Sequence, residues 1–239
     1  MAPGNQLPFV DGRSVFRVLV TLAGLIGLVI LIGALLYWLL SDRFTDLDET
    51  PWPLVLGSFV QTLVIVLAVD FGWRRRKSLS WTDTGFRPVS IKVLWPFAVG
   101  GIVLAGSIEF LERQLGIKPG DLIPDMIAPQ GFHWSHFLAV LLAVGVMAPL
   151  AEELIFRGVL YSWFRSRLNM GLAIGLNALV FGLVHPGYPL PLMALVALMG
   201  AIFAWSYEKT GSLWVPSVLH MAQNSAVVTA VYITLYQSP

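Results

Sequence analysis

The most constraining feature of this sequence is a series of long apolar runs separated by short loops that are rich in Gly, Pro or charged residues. The runs lie near residues 16–40, 52–72, 92–112, 136–166, 171–185, 190–207 and 211–236. An α-helix needs about 20 consecutive apolar residues to cross a bilayer. The pattern therefore predicts an all-α, multi-pass bundle of transmembrane helices with about seven spans, with eight as the alternative.

Composition supports a membrane protein. Of the 239 residues, 56% are hydrophobic and only 12% are charged, whereas soluble domains carry about 25% charged residues. Because no polar stretch is long enough for a soluble domain, we predict one integral membrane domain over residues 1–239, with the lipid bilayer as a partner. The net charge of +1 gives no support for binding nucleic acid. The absence of cysteine excludes thiolate metal sites and a cysteine nucleophile.

The distribution of charge across the loops predicts an orientation. Basic residues cluster before the first run, after the second and after the fourth, at Arg13, Arg17, 74–77, Arg165 and Arg167. The acidic residues of the loops fall instead in segments 42–49 and 121–125. Since basic loops stay in the cytoplasm, we expect a cytoplasmic N-terminus. The lack of organelle-targeting features favours a prokaryotic plasma membrane.

The interior of the fourth apolar run carries three charged residues, Glu152, Glu153 and Arg157. Each would cost about 2.5–3.5 kcal/mol at the centre of a bilayer, so the cluster needs a reason. Glu153 and Arg157 are four residues apart on one helix face, and we expect them to form a structural ion pair. Glu152 points about 100° away and has no such local partner. Its isolation makes it the candidate proton acceptor.

Three polar residues of later runs are further candidates: His185 at the end of the fifth, and His220 and Asn224 in the seventh. Counting 1.5 Å per residue from the predicted turns puts Glu152 and His185 roughly 22–26 Å from the cytoplasmic surface. The same count puts His220 and Asn224 roughly 14–20 Å from that surface. We therefore expect all four to converge. A base, an imidazole and two hydrogen-bond donors suit the hydrolysis of an amide by an activated water.

The polar residues form three motifs in a fixed order: Glu152-Glu153-x-x-x-Arg157, Phe181-x-x-x-His185 and His220-x-x-x-Asn224. This series resembles the CAAX protease and bacteriocin-processing (CPBP, or Abi) family of intramembrane endopeptidases, over a protease-like core at about residues 78–236. The resemblance implies a peptide or membrane-protein substrate.

The resemblance also implies a role for each motif residue. Glu152 would activate the attacking water together with His185, while His220 and Asn224 would stabilise the oxyanion. The predicted ion pair and Phe181 would support the site.

Several alternatives stay open at this point. Glu152, His185 and His220 could form a catalytic zinc set, but neither histidine follows the HExxH spacing, so we expect no obligatory metal. The chain could also be a non-catalytic membrane scaffold or a bacteriocin-immunity factor with a structural polar core. A proton or solute transporter is the third alternative, because buried Glu and His also build proton relays.

Overall fold

The computed structural model describes residues 7–40, 50–116, 125, 127–185 and 187–237. This part of the chain forms apolar helices and no strand, which confirms the predicted multi-pass helical bundle. The acidic loop at 42–49 and the acidic residue at 121 lie outside the described residues. The helices are α1 (Gly12–Leu40), α2 (Trp52–Lys77), α3 (Ile91–Gln114), α4 (Trp134–Arg165), α5 (Met170–Leu183), α6 (Leu190–Thr210) and α7 (Trp214–Gln237).

Six of these helices are long and apolar enough to cross a membrane, and α5 is the shorter one. Its 14 residues extend about 21 Å, less than the roughly 30 Å of a hydrocarbon core. The predicted span at 171–185 is therefore a shorter helix that ends at Leu183. Gly187, with φ of 99°, lies in the loop that turns the chain into α6. His185 is partly buried and lies two residues beyond the end of α5.

The basic segments used to predict orientation meet at one end of the bundle. Lys77 at the end of α2 forms a 2.7 Å ion pair with Asp11 at the start of α1. The last turn of α4 reaches the same place, because Gly12 packs against Trp163 and Arg167. If basic loops lie on one side of the membrane and acidic loops on the other, the basic segments must meet at one end of the bundle, as they do here. That it faces the cytoplasm stays a prediction.

Helix α4 departs from regular α-geometry in two π-helical segments, Leu141–Met147 and Leu154–Tyr161. In a π-helix the N–H of residue i+5 bonds to the carbonyl of residue i. The partner of the Val144 carbonyl would be Pro149, which has no N–H. That carbonyl instead accepts a 3.0 Å hydrogen bond from Asn224 Nδ2. Because Pro149 lacks an N–H, the Val144 carbonyl is free to accept this hydrogen bond, which links α7 to α4.

Glycines allow close contact between neighbouring helices. A Cβ added to Gly101 of α3 would lie 2.2 Å from the Leu219 carbonyl oxygen of α7, and one added to Gly182 of α5 would lie 2.6 Å from the Met193 carbonyl oxygen of α6. Small residues commonly serve this purpose between membrane helices, where packing rather than the hydrophobic effect drives association. These contacts hold α3 against α7 and α5 against α6.

Candidate active site

A cavity of about 730 Å³ lies among α2, α3, α4, α5, α6 and α7, and Phe181 is its lining residue from α5. Glu152, His185, His220 and Asn224 all line it, so the structure brings together the four residues predicted to carry the chemistry. Volumes of about 300–1,000 Å³ are typical of small-molecule and cofactor sites. The catalytic roles of the four residues remain a prediction.

The two carboxylate oxygens of Glu152 have different neighbours. Oε1 accepts a 3.2 Å hydrogen bond from Gln61 Nε2 of α2, and Oε2 lies 4.0 Å from His220 Nε2. Glu152 is partly accessible, with 16% of its side chain exposed. Gln61 was not among the predicted site residues and precedes the predicted core at 78–236. A signal was present, because a polar residue inside an apolar run favours a functional role.

His220 is held between two carboxylates. Its Nδ1 lies 2.8 Å from Glu153 Oε1, and because a carboxylate only accepts hydrogen bonds, Nδ1 carries a proton. Nε2 therefore faces Glu152. The ring also stacks on Phe203, with centroids 4.4 Å apart and planes 23° apart. Both the tautomer and the orientation of His220 are set by its surroundings.

The ion pair predicted from spacing forms behind the cavity. Arg157 Nη1 donates to Glu153 Oε1 at 2.8 Å, and both side chains are 0% exposed. Arg157 Nη2 also donates to the Gly200 carbonyl at 2.9 Å. The guanidinium carbon lies 4.5 Å from the ring centre of Phe181 and 5.2 Å from that of Phe203. The pair is thus enclosed by polar and aromatic partners and does not line the cavity.

His185 lies just beyond the end of α5 and presents one free ring nitrogen. Its Nδ1 is 2.7 Å from the Phe181 carbonyl, which can only accept, so Nδ1 is protonated and the neutral ring leaves a lone pair on Nε2. Tyr188 stacks on the imidazole with centroids 5.8 Å apart. Burial raises the pKa of Tyr188, and the charges of Glu152 and Glu112 raise it further. The Tyr188 hydroxyl therefore stays protonated at neutral pH.

Asn224 has only part of its hydrogen-bonding capacity available. One N–H of its amide is donated to the Val144 carbonyl at 3.0 Å. An asparagine amide carries two donors, so one N–H remains for a ligand. The bond to α4 also fixes the direction of this second donor.

The suggested zinc set is not assembled in this arrangement. Within the described ranges, no group of three His, Cys, Asp or Glu side chains is placed to hold a metal ion. Glu152 and His220 approach each other to 4.0 Å, but His185 does not complete a three-ligand group with them. The expectation that no metal is obligatory therefore stays a prediction.

Comparison with known proteins places the three motifs within a described family. Residues 134–226 match the family model described as type II CAAX prenyl endopeptidase Rce1-like. The matched region starts with α4 and ends within α7. It contains Glu152, His185, His220 and Asn224, whereas Gln61 lies outside it. No solved structure matches the chain significantly.

Three bacterial proteins illustrate the similarity. UPF0177 protein YxdF of Lactococcus lactis is 30% identical over 170 residues, 68% of this chain and 89% of its own length. The peptidase-like membrane protein YdiL of Bacillus subtilis is 27% identical over 178 residues, 72% of this chain and 68% of its own. The membrane-embedded CAAX protease MroQ of Staphylococcus aureus is 31% identical over 91 residues, 36% of each chain.

Proposed function

This chain belongs to the CAAX protease and bacteriocin-processing family, and we propose that it is an intramembrane endopeptidase that hydrolyses peptide bonds with a water activated by Glu152. The observation that carries the proposal is the placement of this carboxylate. Gln61 holds one oxygen while the other faces His220 at 4.0 Å, within a cavity that His185 and Asn224 also line. The proposed reaction uses these side chains and water, without a metal.

The reaction follows from the free atoms of these side chains. Glu152 Oε2 takes a proton from a water molecule as the water oxygen attacks the scissile carbonyl carbon. The Nε2 lone pair of His185 orients that water. The carbonyl oxygen becomes an oxyanion, which the remaining N–H of Asn224 stabilises. His220 contributes a second donor when Nε2 is also protonated. Glu152 then passes its proton to the amine nitrogen as the C–N bond breaks.

The walls of the cavity support an apolar peptide substrate, either free or as a segment of a membrane protein. Most lining residues of α3, α6 and α7 are aliphatic. Among the described residues, the charged groups that line the cavity are the carboxylates of Glu109, Glu112 and Glu152. Because like charges repel, acidic side chains near the scissile bond should be disfavoured.

The protein is an integral membrane protein with several membrane-spanning helices, and we place it in a bacterial plasma membrane with its N-terminus in the cytoplasm. The bacterial sources of the three relatives support the compartment. The gathering of the basic ends supports the orientation.

The proposal is tested with purified protein in proteoliposomes and a library of apolar peptides, with products identified by mass spectrometry. Glu152→Gln and His185→Ala should abolish the cleavage shown by the wild type. Glu112→Gln makes the same chemical change at another cavity-lining carboxylate outside the motifs, and it should retain cleavage. Cleavage by the Glu152→Gln variant at the rate of the wild type would refute the mechanism. Folded wild-type protein that cleaves nothing would favour the scaffold alternative.

Metal dependence is tested on the same preparation. Wild-type protein treated with a chelator and then dialysed should cleave as fast as untreated protein. Loss of cleavage that added zinc restores would refute the metal-independent reaction.

A further inference from the structure

Gln223 is a buried polar residue on the cavity wall that the proposed mechanism does not use. It lies on α7 between His220 and Asn224, and it lines the same cavity. Only 5% of the residue is exposed. It therefore shares one turn of α7 with the two residues proposed to stabilise the oxyanion.

The amide of Gln223 makes no hydrogen bond within the described part of the chain, and its Oε1 is a buried atom without a partner. Several other buried polar atoms also lack partners, but of those residues only Gln223 lines the cavity. Buried polar groups are nearly always hydrogen-bonded, so each exception needs an explanation. A ligand that enters the cavity can supply the missing partner.

We propose that Gln223 binds the main chain of the peptide substrate beside the scissile bond. A glutamine amide offers a donor and an acceptor together, and each residue of an extended peptide presents the complementary N–H and C=O. Recognition of main-chain groups holds the peptide in place without selecting particular side chains. This role rests on the endopeptidase function, because it assigns a substrate contact in that site.

The distinguishing variant is Gln223→Met, which keeps similar length and volume but has no amide. Its kcat/KM for a peptide that the wild type cleaves should fall about tenfold, mostly through a higher KM, as expected for the loss of one or two hydrogen bonds. Its melting temperature should stay equal to or rise above that of the wild type, because a buried unpaired amide is removed. Gln114→Met, at the exposed end of α3 and away from the cavity, is the matched control and should match the wild type in both measurements.

Two results would refute the Gln223 role while the wild type still cleaves the peptide: an unchanged kcat/KM, or a fall in melting temperature that accompanies the loss of activity. The second would show that Gln223 is a structural residue. If the folded wild type cleaves no peptide in the library, the result counts against the endopeptidase function and the Gln223 role together and favours the scaffold alternative. Direct binding provides a second readout, since Glu152→Gln should bind the peptide about tenfold more tightly than the Glu152→Gln, Gln223→Met double variant.

Discussion

The buried ion pair behind the cavity makes a quantitative prediction about stability. Glu153→Gln keeps the shape of the side chain and an oxygen that can still accept from His220 and Arg157, but it removes the negative charge. Arg157, which is 0% exposed, would then be a buried cation without a carboxylate at its Nη1. Breaking a buried pair by removing one partner costs about 3–5 kcal/mol. That is a large fraction of a total stability of about 5–15 kcal/mol.

The size of the effect depends on what remains around Arg157. The Gly200 carbonyl and the faces of Phe181 and Phe203 stay in place in the variant, but they are present in the wild type as well. They therefore do not compensate for the lost charge. We expect Glu153→Gln to lower the free energy of unfolding by about 3–5 kcal/mol.

The assay is reversible unfolding in mixed detergent micelles, with the neighbouring Glu152→Gln as the matched control. Glu152 is partly exposed and its hydrogen bond from Gln61 can survive the change, so the control should lose less than about 1.5 kcal/mol. Replacing both charges, in Glu153→Met with Arg157→Met, should cost less than Glu153→Gln alone, because no charge is left unpaired. A loss below about 1 kcal/mol in Glu153→Gln, or a double variant less stable than the single one, would refute the reasoning.

Three further predictions concern a close helix contact, an ion pair at the end of the bundle and a hydrogen bond in the cavity. Gly101→Ala should destabilise the protein by about 1–3 kcal/mol or more by overpacking, because its Cβ would lie 2.2 Å from a carbonyl oxygen of α7; the control Gly100→Ala, with nothing within 4 Å, should be neutral in the same unfolding assay. The hydrogen bond to Lys77 lowers the pKa of Asp11 from 3.8 to about 2, so its contribution to stability should be complete above pH 3.8 and lost as the pH falls toward 2; an Asp11→Asn variant that shows the same acid-induced loss would contradict this. Gln61→Met should lower kcat about tenfold with KM unchanged, since it removes the donor that orients the carboxylate of Glu152, the proposed base; a change in KM alone would exclude this positioning role.

Much of this protein could be predicted from short-range sequence relations. Apolar runs indicated the helices because the backbone N–H and C=O groups of a segment in lipid must form hydrogen bonds within that segment. The pairing of Glu153 with Arg157 followed from their spacing of four residues, since one turn of a helix places such residues on the same face. Counting rise along the helices predicted that Glu152, His185, His220 and Asn224 converge, and all four line one cavity. Each of these predictions uses either the spacing of residues within one helix or the height of a residue along the membrane normal.

Only the tertiary structure decided which faces of the helices meet. Lipid-facing and protein-facing positions are both apolar in a membrane, so periodicity does not reveal how a helix is rotated. For that reason the sequence did not show that Gln61 of α2 contacts Glu152, or that Gln223 lines the cavity without a partner. The pairing of Asn224 with the Val144 carbonyl likewise depends on a π-helical segment. The sequence by itself thus determined which polar residues enter the membrane, while rotation and packing of the helices decided which atoms of those residues face one another.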